Sequence, residues 1–274
     1  SASEAEGMRF NASVFILALW IVGGVIAPWL NIDPNGIHLE RILDSPMLAG
    51  GLGYDDLGRP LLDRLIAGAT TSFLVSLWVV GLSSVGGTLI GSFSAYAGGV
   101  ADRVLVHVID LFMAFPGILL AIALAGILGP GIENVVIALT LVGWVGYARL
   151  ARAQVLSLKT RDHVQAAIAL GVPRTRIVRR HLLPLITAPL IVEATFGVAA
   201  VVVAEAGLSF LGLGVQPPEA SWGSMIRDGS RYLLVAPHMV IVPGVAMVLV
   251  VLAVNLLGDR LRDRLDVRSE GIRS

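Results

Sequence analysis

The stretch TSFLVSLWVVGLSSVGGTLIGSFSAY, residues 71–96, lies in an interval from Arg64 to Asp102 that contains no charged residue between its ends. About 20 mostly apolar residues in a helix are enough to cross the hydrocarbon core of a bilayer. The stretch is longer than that and shows no alternation of period two, and an open sheet edge cannot satisfy its backbone polar groups in lipid. The sequence therefore predicts an all-α membrane protein.

The composition of the whole chain agrees with a membrane protein and excludes several kinds of site. Hydrophobic residues make up 55% and charged residues 15%, against about 25% charged residues in a soluble domain. The net charge is zero, which does not favour nucleic-acid binding. The absence of cysteine excludes thiol catalysis and thiolate ligands, and the five histidines share no metal-ligand spacing. No P-loop is present, so we predict no catalytic residue, no metal and no cofactor in this chain.

Six stretches have the length and apolarity of a membrane-spanning helix. The third contains Asp110 and Pro116, and Pro116 is expected to kink that helix. We interpret the first as a retained helix rather than a cleaved signal peptide, because no small-residue cleavage site follows it. The six predicted spans cover about residues 13–30, 71–96, 104–129, 133–156, 182–204 and 235–257.

The distribution of positive charge predicts the orientation of these spans. Of the 20 Lys and Arg residues, 15 fall on the side of the N-terminus and 5 on the other side. Positively charged segments stay in the cytoplasm, so both termini are predicted to be cytoplasmic. The predicted division is an N-terminal tail 1–12, a first transmembrane helix 13–30, an extracytoplasmic loop 31–70, a five-helix core 71–258 with an inner loop 158–184 and an outer loop 205–234, and a cytoplasmic tail 259–274.

The inner loop 158–184 is longer than a helical hairpin needs. Ala166 and Ala167 offer small side chains that let a partner approach closely, and Gly171 and Pro173 suit a turn followed by a second short helix. Docking onto a cytoplasmic partner and lying on anionic lipid are the two interpretations, and the glycine break between two short helices favours docking. The second helix presents Arg174, Arg176, Arg179 and Arg180 around Ile177.

This loop resembles the "EAA" loop of permease subunits in binding-protein-dependent ABC importers. In that family the loop is a coupling helix that sits in a groove of the cytoplasmic ATPase. Gln165 stands where the family usually has Glu, which removes one ionic contact but keeps the small residues and the glycine. The resemblance implies that eight residues couple the chain to the ATPase: Gln165, Ala166, Ala167, Gly171, Arg174, Ile177, Leu183 and Pro184.

Two further segments resemble the dipeptide/oligopeptide/nickel branch of the family, LGYDDLGRPLLDRLIAG at 52–68 and residues 204–223. Pro60 stands where the family commonly has Asp, and Thr70 where Arg is common, so those polar groups are absent here. The second segment is expected to fold back onto the outer face, with Trp222 at the membrane–water interface. Residues expected to gate the outer mouth or to contact a binding protein are Glu205, Ser209, Pro217, Pro218 and Trp222.

Glu193, in the fifth predicted span, is the main candidate for a residue of the transport pathway. An ionisable side chain inside a membrane usually faces a cavity or a partner. It could bind a cationic part of the solute, or it could be a protonated or paired carboxylate that fixes helix packing.

The resemblance implies a type I ABC importer permease fold in the bacterial inner membrane and one permease subunit of an ATP-driven importer for di- or oligopeptides. Such a chain forms half the pathway with a second homologous permease. Two ATPases bind ATP and Mg, and an extracytoplasmic solute-binding protein delivers the solute. Nickel or another delivered solute is the second candidate cargo. Two different functions are also open: an ATP-independent transporter or channel, which the lack of an evident inverted repeat disfavours, and a membrane scaffold without transport.

Overall fold

The computed structural model of the chain describes residues 2–46 and 51–270, with side chains described for 11–27, 29–46 and 51–265. Throughout this described part the secondary structure is helical, and the only β-type pairing in it is an isolated bridge between Tyr54 and Pro60. The prediction of an all-α fold is confirmed. The two predicted tails, 1–12 and 259–274, lie partly outside these described residues.

The described helices differ widely in length. Short 3-10 turns at Ala27–Trp29 and Leu39–Arg41 lie between the first two helices, and a π-turn at Val178–Leu182 joins the seventh to the eighth. In chain order the helices are α1 (Ala2–Ile26), α2 (Leu61–Ala97), α3 (Gly99–Met113), α4 (Gly117–Leu128), α5 (Ile132–Leu158), α6 (Asp162–Ala169), α7 (Arg174–Ile177), α8 (Leu183–Phe210), α9 (Trp222–Ser230) and α10 (His238–Glu270).

Four helical segments of the described chain are long and apolar enough to cross a membrane: α2, α5, α7 together with α8, and α10. The bent pair of α3 and α4 makes a fifth if it is taken as one span. The apolar part of α1, Asn11–Ile26, is shorter. Each predicted span overlaps one of these elements, and the count of six spans stays a prediction.

The third predicted span is broken rather than kinked. The prediction of one helix over 104–129 is wrong, because α3 and α4 meet at an angle of 88°. Pro116 lacks the N–H that would continue α3, and its ψ of 122° places extended backbone immediately before α4. The chain therefore changes direction at Pro116 instead of bending gently.

Helix α2 begins at Leu61, so residues 61–70 of the predicted outer loop are helical. Pro60 precedes the helix with a φ of −67°, and Asp63 places an acid in the positively polarised first turn. Two charged residues near the start of α2 made this part of the helix resemble a loop in the sequence.

Helices α2 and α5 approach each other at backbone distance at two glycines of α2. A Cβ built on Gly87 would overlap the carbonyl oxygen of Trp144, and one built on Gly91 would overlap that of Ala148. Ala148 is fully buried. The two glycines are four residues apart on one helix face, the small-residue spacing that lets membrane helices approach closely. This contact fixes α5, which carries residues of the site described below.

The end of the bundle where α2 begins is held by a buried charge network. We call it the outer end, after the orientation that the charge distribution predicts. The Asp55 carboxylate accepts a hydrogen bond from Arg59 Nε at 2.6 Å and lies 3.4 Å from Arg64 Nε. Arg64 Nη1 also donates to the carbonyls of Pro34 and Pro218, at 3.2 and 3.3 Å. The network joins the loop after α1, the start of α2 and the loop before α9.

Helix α1 lies against α2 and α10. Its Leu17 and Trp20 are buried in a cluster that includes Val250 and Val254 of α10. Trp20 and Phe73 meet edge to face with ring centroids 5.7 Å apart, which is a favoured aromatic geometry. The first apolar stretch is therefore part of the packed bundle.

Candidate coupling surface and translocation cavity

Helix α6 is anchored on the bundle by its inward face. Val164 and Ala167 pack in a buried cluster with Val155 of α5 and Ile186 of α8, and Ile177 of α7 belongs to the same cluster. Burial turns the side chains of Ala167 and Ile177 away from any partner, and their part in coupling stays a prediction. Their side chains instead hold the loop onto the ends of α5 and α8.

The outward face of α6 and the turn after it form an exposed apolar projection, which we call the α6 tip. It consists of Ala166, Ile168, Leu170 and Gly171, and the Leu170 side chain is 84% exposed. Gly171 has a φ of +73°, and a Cβ built on it would have no neighbour within 4 Å. The predicted glycine turn between two short helices is confirmed, and it opens into space that the described residues leave empty.

Gln165 links α6 to the end of α5. Its Nε2 donates to the Lys159 carbonyl at 2.8 Å, while the side chain stays exposed. Lys159 caps the C-terminal end of α5, where carbonyls lack helical partners. A glutamate at 165 has no N–H to donate when ionised, so the departure from the family pattern creates a contact inside the loop.

A run of positive charge follows the α6 tip in the chain. Within the part of the chain whose side chains are described, none of the four arginines of α7 and the π-turn forms an ion pair. Leu183 is partly buried and Pro184 is exposed at the start of α8. The exposed arginines are Arg174, Arg176, Arg179 and Arg180.

Asp102 and Arg152 form a bidentate ion pair that ties α3 to α5 near the same end of the bundle. The Nε and Nη2 atoms of Arg152 each lie 2.7 Å from a carboxylate oxygen of Asp102. Sequence reasoning missed this pair, since the two residues are 50 positions apart and no local pattern connects them.

A cavity of about 930 Å³ lies between α2, α4, α5, α8 and α10. Apolar side chains such as Val80, Phe196 and Val251 make most of its wall, and the larger polar groups on it are Tyr147, Glu193 and Asn255. Glu193 lines this cavity with an exposed side chain, and its role in the pathway stays a prediction. Nothing in the sequence pattern singled out Tyr147 or Asn255, because only the fold brings them to the same space.

The segment predicted to gate the outer mouth is largely internal. Glu205 is 1% exposed and accepts a hydrogen bond from Ser209 Oγ at 2.6 Å. Trp222 is 3% exposed and donates its indole N–H to the Leu65 carbonyl at 3.0 Å. The contacts of Glu205, Ser209 and Trp222 hold the segment in place, and their role at the outer mouth stays a prediction. Pro217 and Pro218 are exposed and remain candidates for contact with a binding protein.

Membrane-spanning helices, a cavity between them and a protruding helical loop at one end together define a membrane transport subunit. The chain belongs to the family of binding-protein-dependent transport system inner membrane components, whose model matches residues 87–270. It is therefore an inner-membrane component of a transport system, and the predicted family is confirmed.

Two curated relatives and one solved structure show how far the similarity extends. A permease protein assigned to a peptide transport system in Brucella suis biovar 1 is 41% identical over 260 residues, covering 94% of this chain and 88% of the relative. The glutathione transport system permease protein GsiD of Escherichia coli O6:K15:H31 is 37% identical over 270 residues, covering 97% and 88%. A chain of the MetNI methionine ABC transporter, in an inward-facing conformation, matches 74% of this chain and 97% of its own length. Its TM-score is 0.60 at 20% identity, which supports the type I permease fold.

Proposed function

We propose that this chain is one of two permease subunits of an ATP-driven importer that takes up short peptides. The observation that carries the proposal is the α6 tip, an exposed apolar projection that no described residue covers. Exposed Leu170 beside a glycine with open space around it fits insertion into a groove of a partner. The names of the two curated relatives support peptides or glutathione, itself a tripeptide, as the solute class.

The proposed partner at the α6 tip is a pair of ATPases, which would bind ATP and Mg and carry out hydrolysis. This chain catalyses no reaction. Because Val164 and Ile177 pack against the ends of α5 and α8, a displacement of α6 moves those two helices with it. Both helices line the cavity, so the nucleotide state of the ATPases would bias the arrangement of the cavity walls.

The proposed pathway runs through the cavity that contains Glu193. A second homologous permease would complete its wall, and an extracytoplasmic binding protein would deliver the solute at the outer end. Pro217 and Pro218, exposed there, are the residues we assign to that contact.

The test is a pair of tryptophan substitutions in the assembled transporter. Gly171→Trp places a bulky side chain on the α6 tip and is expected to abolish ATP-dependent uptake of trialanine, while the protein still inserts in the membrane. Gly129→Trp is the matched control, because Gly129 also has a positive φ (+90°) and open space around it, in the turn between α4 and α5. Co-purification of a P-loop ATPase with the unsubstituted chain and its loss in Gly171→Trp would support coupling through α6. Normal ATP-dependent uptake by Gly171→Trp would contradict coupling through α6.

A further inference from the structure

Glu193 is an acidic residue without a counter-charge among the residues whose side chains are described. It is the one acidic residue that lines the cavity in the described part of the chain. No described side chain donates a hydrogen bond to it or forms an ion pair with it. A carboxylate in the middle of a membrane-spanning helix is costly unless a cation or a donor meets it. The described residues supply neither, so a bound cation fits this position.

Tyr147 brings a second polar group to the same wall. Its side chain lines the cavity, and its hydroxyl is buried with no hydrogen-bond partner among the described residues. Leaving a buried hydroxyl unpaired costs roughly 1–3 kcal/mol. Such a group calls for a partner that the described residues do not supply.

Glycine at position 197 sets the relation between these two groups. A Cβ built on Gly197 would overlap the Tyr147 hydroxyl oxygen, so the phenol lies directly on the backbone of α8 at that point. Gly197 follows Glu193 by four residues, and residues with this spacing lie on one helix face about 5–6 Å apart. The hydroxyl therefore rests against the turn of α8 that carries the carboxylate. A Cβ built on Gly146, next to Tyr147, would lie 3.5 Å from Glu193 Oε1.

We infer that Glu193 and Tyr147 form a subsite for a protonated primary amine, which in a short peptide is the N-terminal ammonium. The inference rests on the proposed function and names the part of the solute that the cavity recognises. An ammonium group has three N–H donors. The Glu193 carboxylate accepts charge-assisted hydrogen bonds from it, and the Tyr147 oxygen accepts another. The rest of the wall is mostly apolar, with Asn255 and Ser83 as its other polar side chains, and it offers no second charge to the peptide. The charged group of a short peptide that Glu193 can pair with is therefore its ammonium.

The absence of cysteine allows a direct test in the purified complex of this chain with its co-purifying partners, without nucleotide. Ala200→Cys places a reporter thiol on an exposed cavity position of α8, two turns beyond Glu193. Its modification by a cationic ethylammonium thiosulfonate and by an anionic ethylsulfonate thiosulfonate is followed by intact mass of this chain. Each rate is referred to the rate of the same reagent with a free thiol in solution.

We expect the ratio of the cationic rate to the anionic rate to be about five, because the Glu193 carboxylate attracts the cationic reagent through a low-dielectric space. Adding Glu193→Gln should bring the ratio close to one, and Glu193→Asp should keep most of it. Trialanine is expected to slow modification and N-acetyl-trialanine to leave it unchanged. Tyr147→Phe should weaken protection by trialanine several-fold without changing the ratio of the reagents.

Several results would overturn the inference. Equal protection by the two peptides, no protection by trialanine, or a charge ratio that persists in Glu193→Gln would each do so. In the Ala200→Cys chain with Glu193 intact, equal rates for the two reagents would indicate that a cation of the second permease already pairs with Glu193. That result would also refute the inference. The labelling does not use the ATPase cycle. A chain that shows the ratio and the protection but no ATP-driven uptake would therefore contradict the proposed function alone.

Discussion

Replacing Gly91 by alanine tests the close contact between α2 and α5. Gly91 and Gly86 lie in the interior of the same helix, so alanine gains about 1 kcal/mol of helix propensity at either position. At Gly86 the new Cβ meets no atom within 4 Å. At Gly91 it overlaps the Ala148 carbonyl oxygen and lies 2.9 Å from the Ala148 carbonyl carbon and Cα. Backbone atoms cannot rotate away as a side chain can, so α2 and α5 must separate.

The expected loss of stability is taken from the difference between Gly91→Ala and Gly86→Ala, because both variants gain the same helix propensity. Overpacking of a well-packed contact costs about 1–3 kcal/mol. In a chain of this size 1 kcal/mol corresponds to about 2–4 °C in Tm. Gly91→Ala is therefore expected to melt roughly 2–12 °C below Gly86→Ala.

The assay is thermal unfolding of the purified chain in one detergent, followed by loss of the monodisperse peak in size-exclusion chromatography. Gly86→Ala should match or exceed the unsubstituted chain. An equal Tm for the two variants would refute the backbone contact between α2 and α5. It would also show that this contact does not hold α5 in place.

Two further predictions concern the ends of the bundle. Gln165→Glu removes the donor to the Lys159 carbonyl and should cost about 1 kcal/mol of local stability, seen as faster amide hydrogen exchange in α6; unchanged exchange would show that the contact is dispensable. Burial, with a smaller contribution from the neighbouring Asp55, raises the pKa of the Asp56 carboxyl above its ordinary value of 3.8. The protonated form therefore favours the fold, and this contribution is fully present below the unfolded-state pKa and is lost as pH rises through the folded-state pKa. Asp56→Asn should flatten the decline in Tm just above pH 3.8 and raise Tm at pH 7, and an unchanged pH dependence would contradict this.

Local patterns predicted those features that depend on neighbours in the chain. The charge-free stretch predicted most of α2, and Gly171 with Pro173 predicted the turn after α6. The start of α2 could not be read in the same way. Arg64 is acceptable inside a helix only because Asp55, Pro34 and Pro218 supply its partners, and those lie on other parts of the chain.

Burial was the property that sequence predicted least well. Trp222 suited an interface by type, yet its N–H finds the Leu65 carbonyl 157 positions away and the ring is enclosed. Ala167 and Ala166 are adjacent small residues, and only the rotational position of α6 on the bundle decides that one faces inward and the other outward. Sequence did not predict Tyr147 as a site residue either, because its hydroxyl reaches the face of α8 only where residue 197 is a glycine.

The helical run from Arg174 to Phe210 is continuous over 37 residues, with the π-turn inside it. At 1.5 Å per residue this rod is about 55 Å long. One end lies beside the α6 tip, the other reaches the outer end, and Glu193 falls almost at the midpoint. If the rod tilts about its centre, its two ends swing in opposite directions while the midpoint hardly moves. The Glu193 carboxylate then lies at the fixed centre of the tilting helix. A bound solute can be held there while access to it changes from one side of the membrane to the other.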